Sequence, residues 1–246
     1  MRHCLAITVA SMWLLGCAPT EQPRPSPDNA AANTAGASHL ATLSEGPGQT
    51  RYLLEPNASE LLFYTWRGGK LAKFGHNHVV AARALEGQMA VTDALVGSRF
   101  ELHIPLAQLQ VDEPLLRAAG GESFASKPTT EDVAATRQNM LGERGLDESR
   151  YPVVRVHGDV IQVEQDRATL SASINIHGVT QRQNVVVTLT RNERTGDASS
   201  RRLRIRGKLQ LNQTDFGITP FSIMLGALTV LDEVSVTFDL AARTAS

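Results

Sequence analysis

Two histidines separated by a single residue, His76 and His78, are the side chains whose spacing most directly suggests chemistry. Residues two apart on a β-strand point to the same face, so both imidazoles would lie beside Phe74 and Val80. Because those two neighbours are apolar, we expect this face to line the interior of the fold. Imidazoles in such a place can complete structural hydrogen bonds, hold the polar head of a bound amphiphile, or ligate a transition metal.

A metal site would need a third protein ligand in addition to His76 and His78. His157 could supply it, as could Asp232, which is in phase with the apolar residues of the last predicted strand. A lone carboxylate is costly to bury. If Asp232 is not a metal ligand, we therefore expect it either to form an ion pair or hydrogen bonds at the rim, or to be turned outward by a bulge. His103 alternates with apolar residues and is predicted to point outward. A metal-binding protein or metal-dependent enzyme is the second hypothesis.

The predicted folded part has no thiol, since the two cysteines, Cys4 and Cys17, both precede it. A disulfide framework, a thiolate metal site and a cysteine nucleophile are therefore excluded there. No serine lies in the Gly-x-Ser-x-Gly pattern of a nucleophile elbow, and no phosphate-binding loop or dinucleotide fingerprint occurs in a strand–helix context. We therefore predict that the protein is not an enzyme and requires no cofactor.

The first residues have the pattern of a bacterial export signal. Arg2 precedes a mostly apolar run at residues 5–15, which is too short to span a bilayer. The run ends in Leu-Leu-Gly-Cys, which resembles a lipobox and implies cleavage before Cys17 with diacylglycerol on its sulfur. An ordinary signal peptide with an incidental cysteine is the alternative. Ala18 after the cysteine resembles the pattern sorted to the outer membrane, facing the periplasm.

The rest of the chain divides into a tether and one domain. Residues 17–49 are rich in Pro, Ala, Ser, Thr and Gly and are predicted to form a disordered tether after the signal peptide at residues 1–16. Residues 50–243 have the length of one domain. The 24 basic and 25 acidic residues of the chain nearly cancel, and no basic stripe suited to nucleic acid is present.

Alternating apolar and polar residues predict that this domain is all-β. The clearest runs are Leu170, Ala172, Ile174 and Ile176; Leu203, Ile205, Leu209 and Leu211; and Val234, Val236, Phe238 and Leu240. Ile161 and Val163 fall out of phase with Val154 and Val156, which predicts a bulge or tight turn at Gly158. Many antiparallel strands must either stack as two sheets or close into a barrel, and this pattern leaves both open.

One short helix interrupts the strands. Thr129 can cap it with Asp132 three residues later, Val133, Met140 and Leu141 keep helical spacing, and Gly142 ends it.

Four short motifs follow one another in an order that resembles the YceI-like family of lipid- and polyisoprenoid-binding proteins. They are L-E-G-Q-M at residues 85–89, the N-M-L and L-D-E-S-R-Y-P segments within residues 137–152, I-H-G-V-T at residues 176–180, and D-F-G-I at residues 215–218 with the closing strand at residues 228–234. The resemblance implies a closed antiparallel lipocalin-like β-barrel. Its elongated apolar interior would hold an amphiphile such as an isoprenoid quinone.

Bulky side chains are the candidates for the wall of that interior, with ordinary core packing as the alternative. The candidate ligand-binding residues are Phe63, Phe74, His76, His78, Phe100, Phe216, Phe221 and Met224. The apolar loop at residues 219–225 could cover the barrel mouth or contact membrane. We thus expect an envelope lipoprotein that binds an isoprenoid lipid or quinone and is anchored at Cys17. An exposed strand edge would also allow a homodimer.

Overall fold

The computed structural model describes residues 43–192 and 201–245. The predicted signal peptide, Cys17 and the tether up to residue 42 lie outside the described residues. Among the described residues, no helix is long and apolar enough to cross a membrane.

The described residues form a mostly antiparallel β-structure with twelve strands and two α-helices. The strands are β1 (Gln49–Leu54), β2 (Glu60–Gly68), β3 (His78–Ala82), β4 (Glu86–Thr92), β5 (Arg99–Pro105), β6 (Leu109–Val111), β7 (Val153–Glu164), β8 (Arg167–Ile176), β9 (Val179–Asn192), β10 (Arg202–Asn212), β11 (Ser222–Ile223) and β12 (Leu228–Thr244). The helices are α1 (Pro114–Ala119) and α2 (Thr130–Leu141).

Eight strands close into a barrel. They run in the order β1-β4-β5-β7-β8-β9-β10-β12, and β12 pairs back onto β1. The closing register places Tyr52 opposite Thr244 and Leu54 opposite Ala242. Closure removes the exposed edges that a flat antiparallel sheet would present. The closed lipocalin-like barrel expected from the family resemblance is confirmed.

The barrel wall is extended by β2, β3 and β6 because β12 is long enough to pair with two partners along one edge. Its end pairs with β1, and its residues 229–239 pair with β2, which in turn pairs with β3 and then β6. Val80 of β3 and Leu109 of β6 belong to one apolar cluster with Leu141 of α2. Helix α2 therefore packs its last turn against the inner side of this extension.

Helix α2 has the boundaries that the sequence predicts. Thr129 accepts a hydrogen bond from the Asp132 backbone N–H, while the Asp132 carboxylate accepts from the Thr129 backbone N–H, and Gly142 follows the last turn. The capping box is confirmed. Helix α1 was not predicted, because six residues that begin with a proline are too few to show helical periodicity.

The predicted irregularity in β7 lies three residues beyond Gly158. The register with β8 shifts between Val160 and Gln162, so the bulge is at Ile161 and the prediction at Gly158 is wrong. The glycine at position 158 is needed for a different reason. A Cβ there would lie 3.0 Å from Cζ of Phe100 on β5 and closer still to the carbonyl oxygen of Ser171, so the position requires a residue without a side chain.

Candidate functional site

A cavity of about 160 Å³ lies inside the barrel. Its wall is almost wholly apolar and comes from all eight ring strands and from β2. The apolar lining residues are Leu54, Leu61, Phe63, Met89, Val91, Leu95, Phe100, Leu102, Ile104, Val154, Val156, Val160, Leu170, Ala172, Ile174, Ile176, Val185, Leu189, Leu203, Ile205, Leu209, Leu211, Val236, Phe238 and Leu240. The inward-facing residues that alternation predicts on β8 and β10 all belong to this wall.

Small residues at inward-facing positions make room for the aromatic rings of the wall. Phe100 pairs directly with Gly158, and Gly158 pairs with Ala172 on the next strand. Phe238 pairs with Gly207 in the same way, and a Cβ at Gly207 would meet its ring. Larger side chains at these glycines would collide with the rings. The cavity therefore depends on where the chain places its small residues as much as on its large ones.

Polar groups at the border of the cavity are already bound to other parts of the protein. Gln88, which is buried, accepts hydrogen bonds at Oε1 from the Leu43 backbone N–H and from Arg51. Ser98 accepts one from the Thr92 backbone N–H. The wall thus offers a ligand mainly dispersion contacts and the gain from removing apolar surface from water.

The wall has an interruption in its backbone pairing between β9 and β10. The two strands pair from Arg202 and Asn192 as far as Gly207 and Val187, and beyond that point β9 pairs with β8 alone. Two glutamines of β9 reach across this gap: Gln181 donates to the carbonyl oxygen of Asp215 (2.6 Å) and Gln183 to that of Gln210 (3.4 Å). We refer to this part of the wall as the β9–β10 gap.

A family model for the YceI-like domain matches residues 52–242, which is most of the chain. The chain belongs to the YceI-like family. The YceI-like domain is similar in structure to Burkholderia cenocepacia BcnA, with a TM-score of 0.55 and 13% identity over 76% of this chain and 98% of that chain. The YCEI protein of Campylobacter jejuni matches with a TM-score of 0.49 and 9% identity over 68% of this chain and 85% of that chain. No curated protein sequence matches this chain.

The YceI-like domain places the sequence-predicted site residues in different surroundings. Phe63 and Phe100 line the cavity, and Phe216 is buried in the apolar cluster beside it. His76, His78, Phe74, Phe221 and Met224 are not part of the cavity wall. The two phenylalanines on the wall, Phe63 and Phe100, lie within strands β2 and β5, whereas Phe74 and Phe221 lie in the turn before β3 and the loop before β11.

Phe74 is 66% exposed, so the prediction that it faces the interior is wrong. The prediction assumed one strand through residues 74–80, but β3 begins only at His78. Phe74 ends a 3-10 turn at Ala72–Phe74, and the extended Gly75 follows it. The period of two does not hold across that turn, so Phe74 and Val80 do not share a face.

His78 takes part in a buried polar network at this end of the domain. Its Nδ1 lies 2.6 Å from Oδ2 of Asp112, whose side chain is fully buried. Oδ1 of the same carboxylate accepts hydrogen bonds from the Val79 backbone N–H (3.1 Å) and from Nη1 of Arg117 (2.6 Å). Arg117, also buried, donates to the carbonyl oxygens of Asn77 and Phe124. Of the three roles considered for His78, this geometry fits structural hydrogen bonding.

The network keeps Asp112 ionised. Burial opposes the charged form, but the hydrogen bonds from His78, Val79 and Arg117 outweigh that effect and hold the pKa of Asp112 below its ordinary value. Asp112 and Arg117 were missed by the sequence reasoning. The pairing of β3 with β6 brings Asp112 next to His78 from 34 positions away, and no local pattern records such a contact.

His76 lies beside this network without joining it. Its ring centroid is 6.2 Å from that of His78, and its Nε2 is 4.0 Å from Oδ2 of Asp132 on α2. Burial and the neighbouring His78 lower the pKa of His76, and Asp132 opposes this shift only in part.

The metal hypothesis lacks a third protein ligand in the part of the chain that the structure describes. No group of three or more His, Cys, Asp or Glu side chains stands close enough there to hold a metal ion. His157 is exposed on the outer face of β7. Asp232 accepts hydrogen bonds from the backbone N–H and hydroxyl of Thr214, next to a register shift between β12 and β2. Asp232 thus has both the hydrogen bonds and the neighbouring bulge that the structural alternatives describe.

His103 faces away from the cavity, as its phase predicts, but it is buried rather than solvated. Its neighbours on that outer face are Glu101 and, on the adjacent strands, Glu86 and Arg155. Nε2 lies 3.2 Å from Oε1 of Glu101, within ion-pair range, but neither buried ring nitrogen has a hydrogen bond of good geometry among the described residues. Burial lowers the pKa of His103 despite the attraction of Glu101.

Proposed function

We propose that this YceI-like domain binds the apolar chain of an amphiphile, such as an isoprenoid quinone or a similar lipid, inside the barrel. The observation that carries the proposal is the almost wholly apolar wall of the cavity. Such a wall offers water almost no hydrogen bonds, whereas a hydrocarbon chain placed against it leaves contact with water and gains dispersion contacts.

The polar head of the ligand would remain at the border of the cavity. Burial of a polar group in an apolar wall costs free energy unless the group finds a hydrogen-bond partner. The wall holds almost no such partners, and Nδ1 of His78 is already committed to Asp112. Phe63 and Phe100 are the candidate residues that would contact the chain directly. The structure lends no support to His76 and His78 as anchors for the head.

The envelope location is part of the same proposal and is supported by the sequence alone. A lipobox-like motif at residues 14–17 would place diacylglycerol on Cys17, and the following segment would tether the barrel to the membrane. In a bacterium with two membranes, the protein would be held at the outer membrane and face the periplasm. The family and its apolar interior favour ligand binding over catalysis.

The test is mass spectrometry of the full chain, purified after expression in a bacterial envelope. Native and denaturing spectra are compared, and the protein is then extracted with organic solvent. A mass that is lost on denaturation and recovered in the solvent identifies a bound amphiphile, whereas covalent diacylglycerol stays on the denatured chain. The proposal that the barrel binds an amphiphile fails if the native and denatured masses agree. A lost mass equal to that of a metal ion, and sensitive to His78→Ala, would favour the metal hypothesis instead.

A further inference from the structure

The loop around β11 exposes large apolar side chains at the end of the domain where β12 begins. Leu225 is fully exposed, at 108% of its reference surface, and Met224 is more than half exposed. Phe221 and Ile223, on either side of Ser222, are also exposed. Loops are normally polar, and a contiguous exposed apolar patch marks an interaction surface.

The backbone holds these side chains outward at a conformational cost. Met224, Leu225 and Gly226 all have positive φ angles, of 51°, 56° and 84°. Residues other than glycine rarely adopt this region, and such strain clusters at functional sites. The hairpin is nevertheless fixed at its base, because Ser222 pairs with Thr229 and the Val230 backbone N–H donates to Phe221.

The turn before β3 adds a fifth apolar side chain and two cations to the same surface. The backbone N–H of Leu71 donates to the carbonyl oxygen of Ala227 (2.7 Å), so the turn at Ala72–Phe74 lies against the β11 loop. Phe74 is exposed beside it, and Nζ of Lys73 lies 4.9 Å from its ring centroid. We define the tip surface as Lys70, Lys73, Phe74, Phe221, Ile223, Met224 and Leu225.

The two chain segments that supply the tip surface carry basic residues and no acidic ones, and the nearest recorded carboxylate from another element is Asp132, 4.0 Å from Nε2 of His76. No aspartate or glutamate occurs between residues 61 and 85 or between residues 216 and 231, whereas Arg67, Lys70 and Lys73 all lie in the first of these segments. Lys70 and Lys73 are exposed. The chain as a whole is slightly acidic, with a net charge of −1, so this cationic surface is a local feature.

We infer that the tip surface docks on a lipid bilayer that carries anionic headgroups, with Leu225 and Met224 inserted and Lys70 and Lys73 at the headgroup level. Apolar side chains flanked by lysine are the composition that binds at a membrane interface. Each cation near an anionic surface contributes about a five-fold gain in binding. A protein partner would need carboxylates and a matching apolar face, whereas a bilayer satisfies both requirements over any contact area. The inference goes beyond ligand binding and does not depend on it.

The test places an environment-sensitive nitrobenzoxadiazole probe at the tip of the full chain. Cys4→Ser and Cys17→Ser remove both natural cysteines, so Leu225→Cys gives a single labelling site without an acyl anchor. Val186→Cys, at an exposed position on β9, gives the matched control. The probes are compared on vesicles of phosphatidylcholine with and without about one-third phosphatidylglycerol. The readout is local, so binding through other parts of the chain does not imitate it.

The expected result is a several-fold rise in fluorescence at position 225 on the anionic vesicles, quenched by brominated acyl chains, with no change at position 186. Lys70→Glu with Lys73→Glu should raise the lipid concentration for half of that signal at least twenty-five-fold. The matched pair Arg182→Glu with Lys208→Glu changes the net charge equally and should leave it within two-fold. Circular dichroism checks that each variant is folded.

Two results would overturn the inference. One is a probe at position 225 that stays unchanged at every lipid concentration. The other is a signal that rises with protein concentration in the absence of vesicles, because a second copy of the chain would then cover the tip surface.

Discussion

Side chains on the inner faces of the strands set the volume of the cavity. Ala172 is buried on the wall of β8, directly beside Gly158. Its methyl group leaves space that a larger side chain would fill. The ligand therefore competes for volume with the residue at this position.

Ala172→Phe should abolish binding of a hydrocarbon chain, since the added ring would occupy the cavity. We expect at least a ten-fold loss of affinity for cis-parinaric acid, a polyene fatty acid that fluoresces in apolar surroundings. Overpacking should also lower stability by about 1–3 kcal/mol. Asn184→Phe adds the same ring on the exposed side of β9 and should bind the probe normally. Equal binding by the two variants would show that the chain does not enter the cavity.

Asp112 is the residue on which the polar network near β3 depends. Asp112→Asn removes the charge and leaves the buried guanidinium of Arg117 without its ion-pair partner, so we expect a loss of about 3–5 kcal/mol in the free energy of unfolding. Urea denaturation measures this loss. Asp159→Asn, at an exposed position on β7, is the control and should change stability by less than about 0.5 kcal/mol.

The lowered pKa of Asp112 also predicts a pH dependence. Its folded pKa lies below its unfolded value of about 3.9, so its contribution is fully present above that value and is lost as the pH falls through the folded pKa. Acid unfolding curves should therefore be less steep for Asp112→Asn than for the native chain below about pH 4. Equal slopes would contradict this assignment.

The lowered pKa of His103 predicts a second pH dependence, at a less acidic pH than that of Asp112. Burial holds its folded pKa below the unfolded value of about 6.5, so stability should decrease as the pH falls below that value. His103→Gln removes the titrating group and should flatten the melting temperature between about pH 7 and 5. His157→Gln, at an exposed position, is the control and should keep the native slope.

At the scale of elements, the β9–β10 gap is where the wall can open with the least loss of backbone hydrogen bonds. Strands elsewhere in the ring would have to break ladder pairs to separate, whereas here two side-chain amides bridge them. We expect Gln181→Ala with Gln183→Ala to speed the release of cis-parinaric acid several-fold, measured by stopped-flow fluorescence. Gln162→Ala on β7 is the matched control. Unchanged release would place the route of entry elsewhere.

The capping box of α2 is a second feature of element scale. Thr129→Ala removes the side-chain cap of a helix that packs against the extension of the barrel, and such a loss costs about 1 kcal/mol. In a domain of this size, that corresponds to a fall of about 2–4 °C in melting temperature. Thr190→Ala, at an exposed position in β9, tests whether the loss of a threonine alone has the same effect.

At the scale of the whole molecule, a ligand inside the closed barrel should stabilise the folded state, because it binds only where the wall is assembled. At a free concentration one hundred times its dissociation constant, the gain is about 2.7 kcal/mol. Solvent extraction of the ligand should therefore lower the melting temperature by about 5–10 °C, and return of the extracted lipid should restore it. The Ala172→Phe variant should show no such recovery.

Much of the β-structure could be predicted from local sequence. Alternation on β8 and β10 identified the residues that line the cavity, because a period of two assigns each residue to a face wherever the strand is unbroken. It failed at Phe74 and at Gly158, where a 3-10 turn and a neighbouring bulge shift the phase. It gave the correct face for His103. The face of a side chain does not fix its solvent exposure, however, because the side chains that cover the outer face come from other strands.

The sequence by itself determined the all-β character, the capped helix α2 and the absence of thiols from the folded part, since each of these depends on residue type and short-range spacing. Only the tertiary structure decided that β12 returns to β1, that His78 meets Asp112, and that Phe74 and Leu225 share an exposed surface. Those contacts join residues 34 to 192 positions apart. They are fixed by strand pairing and barrel closure, in which the free energy of burial summed over the whole wall selects a register that no short segment specifies.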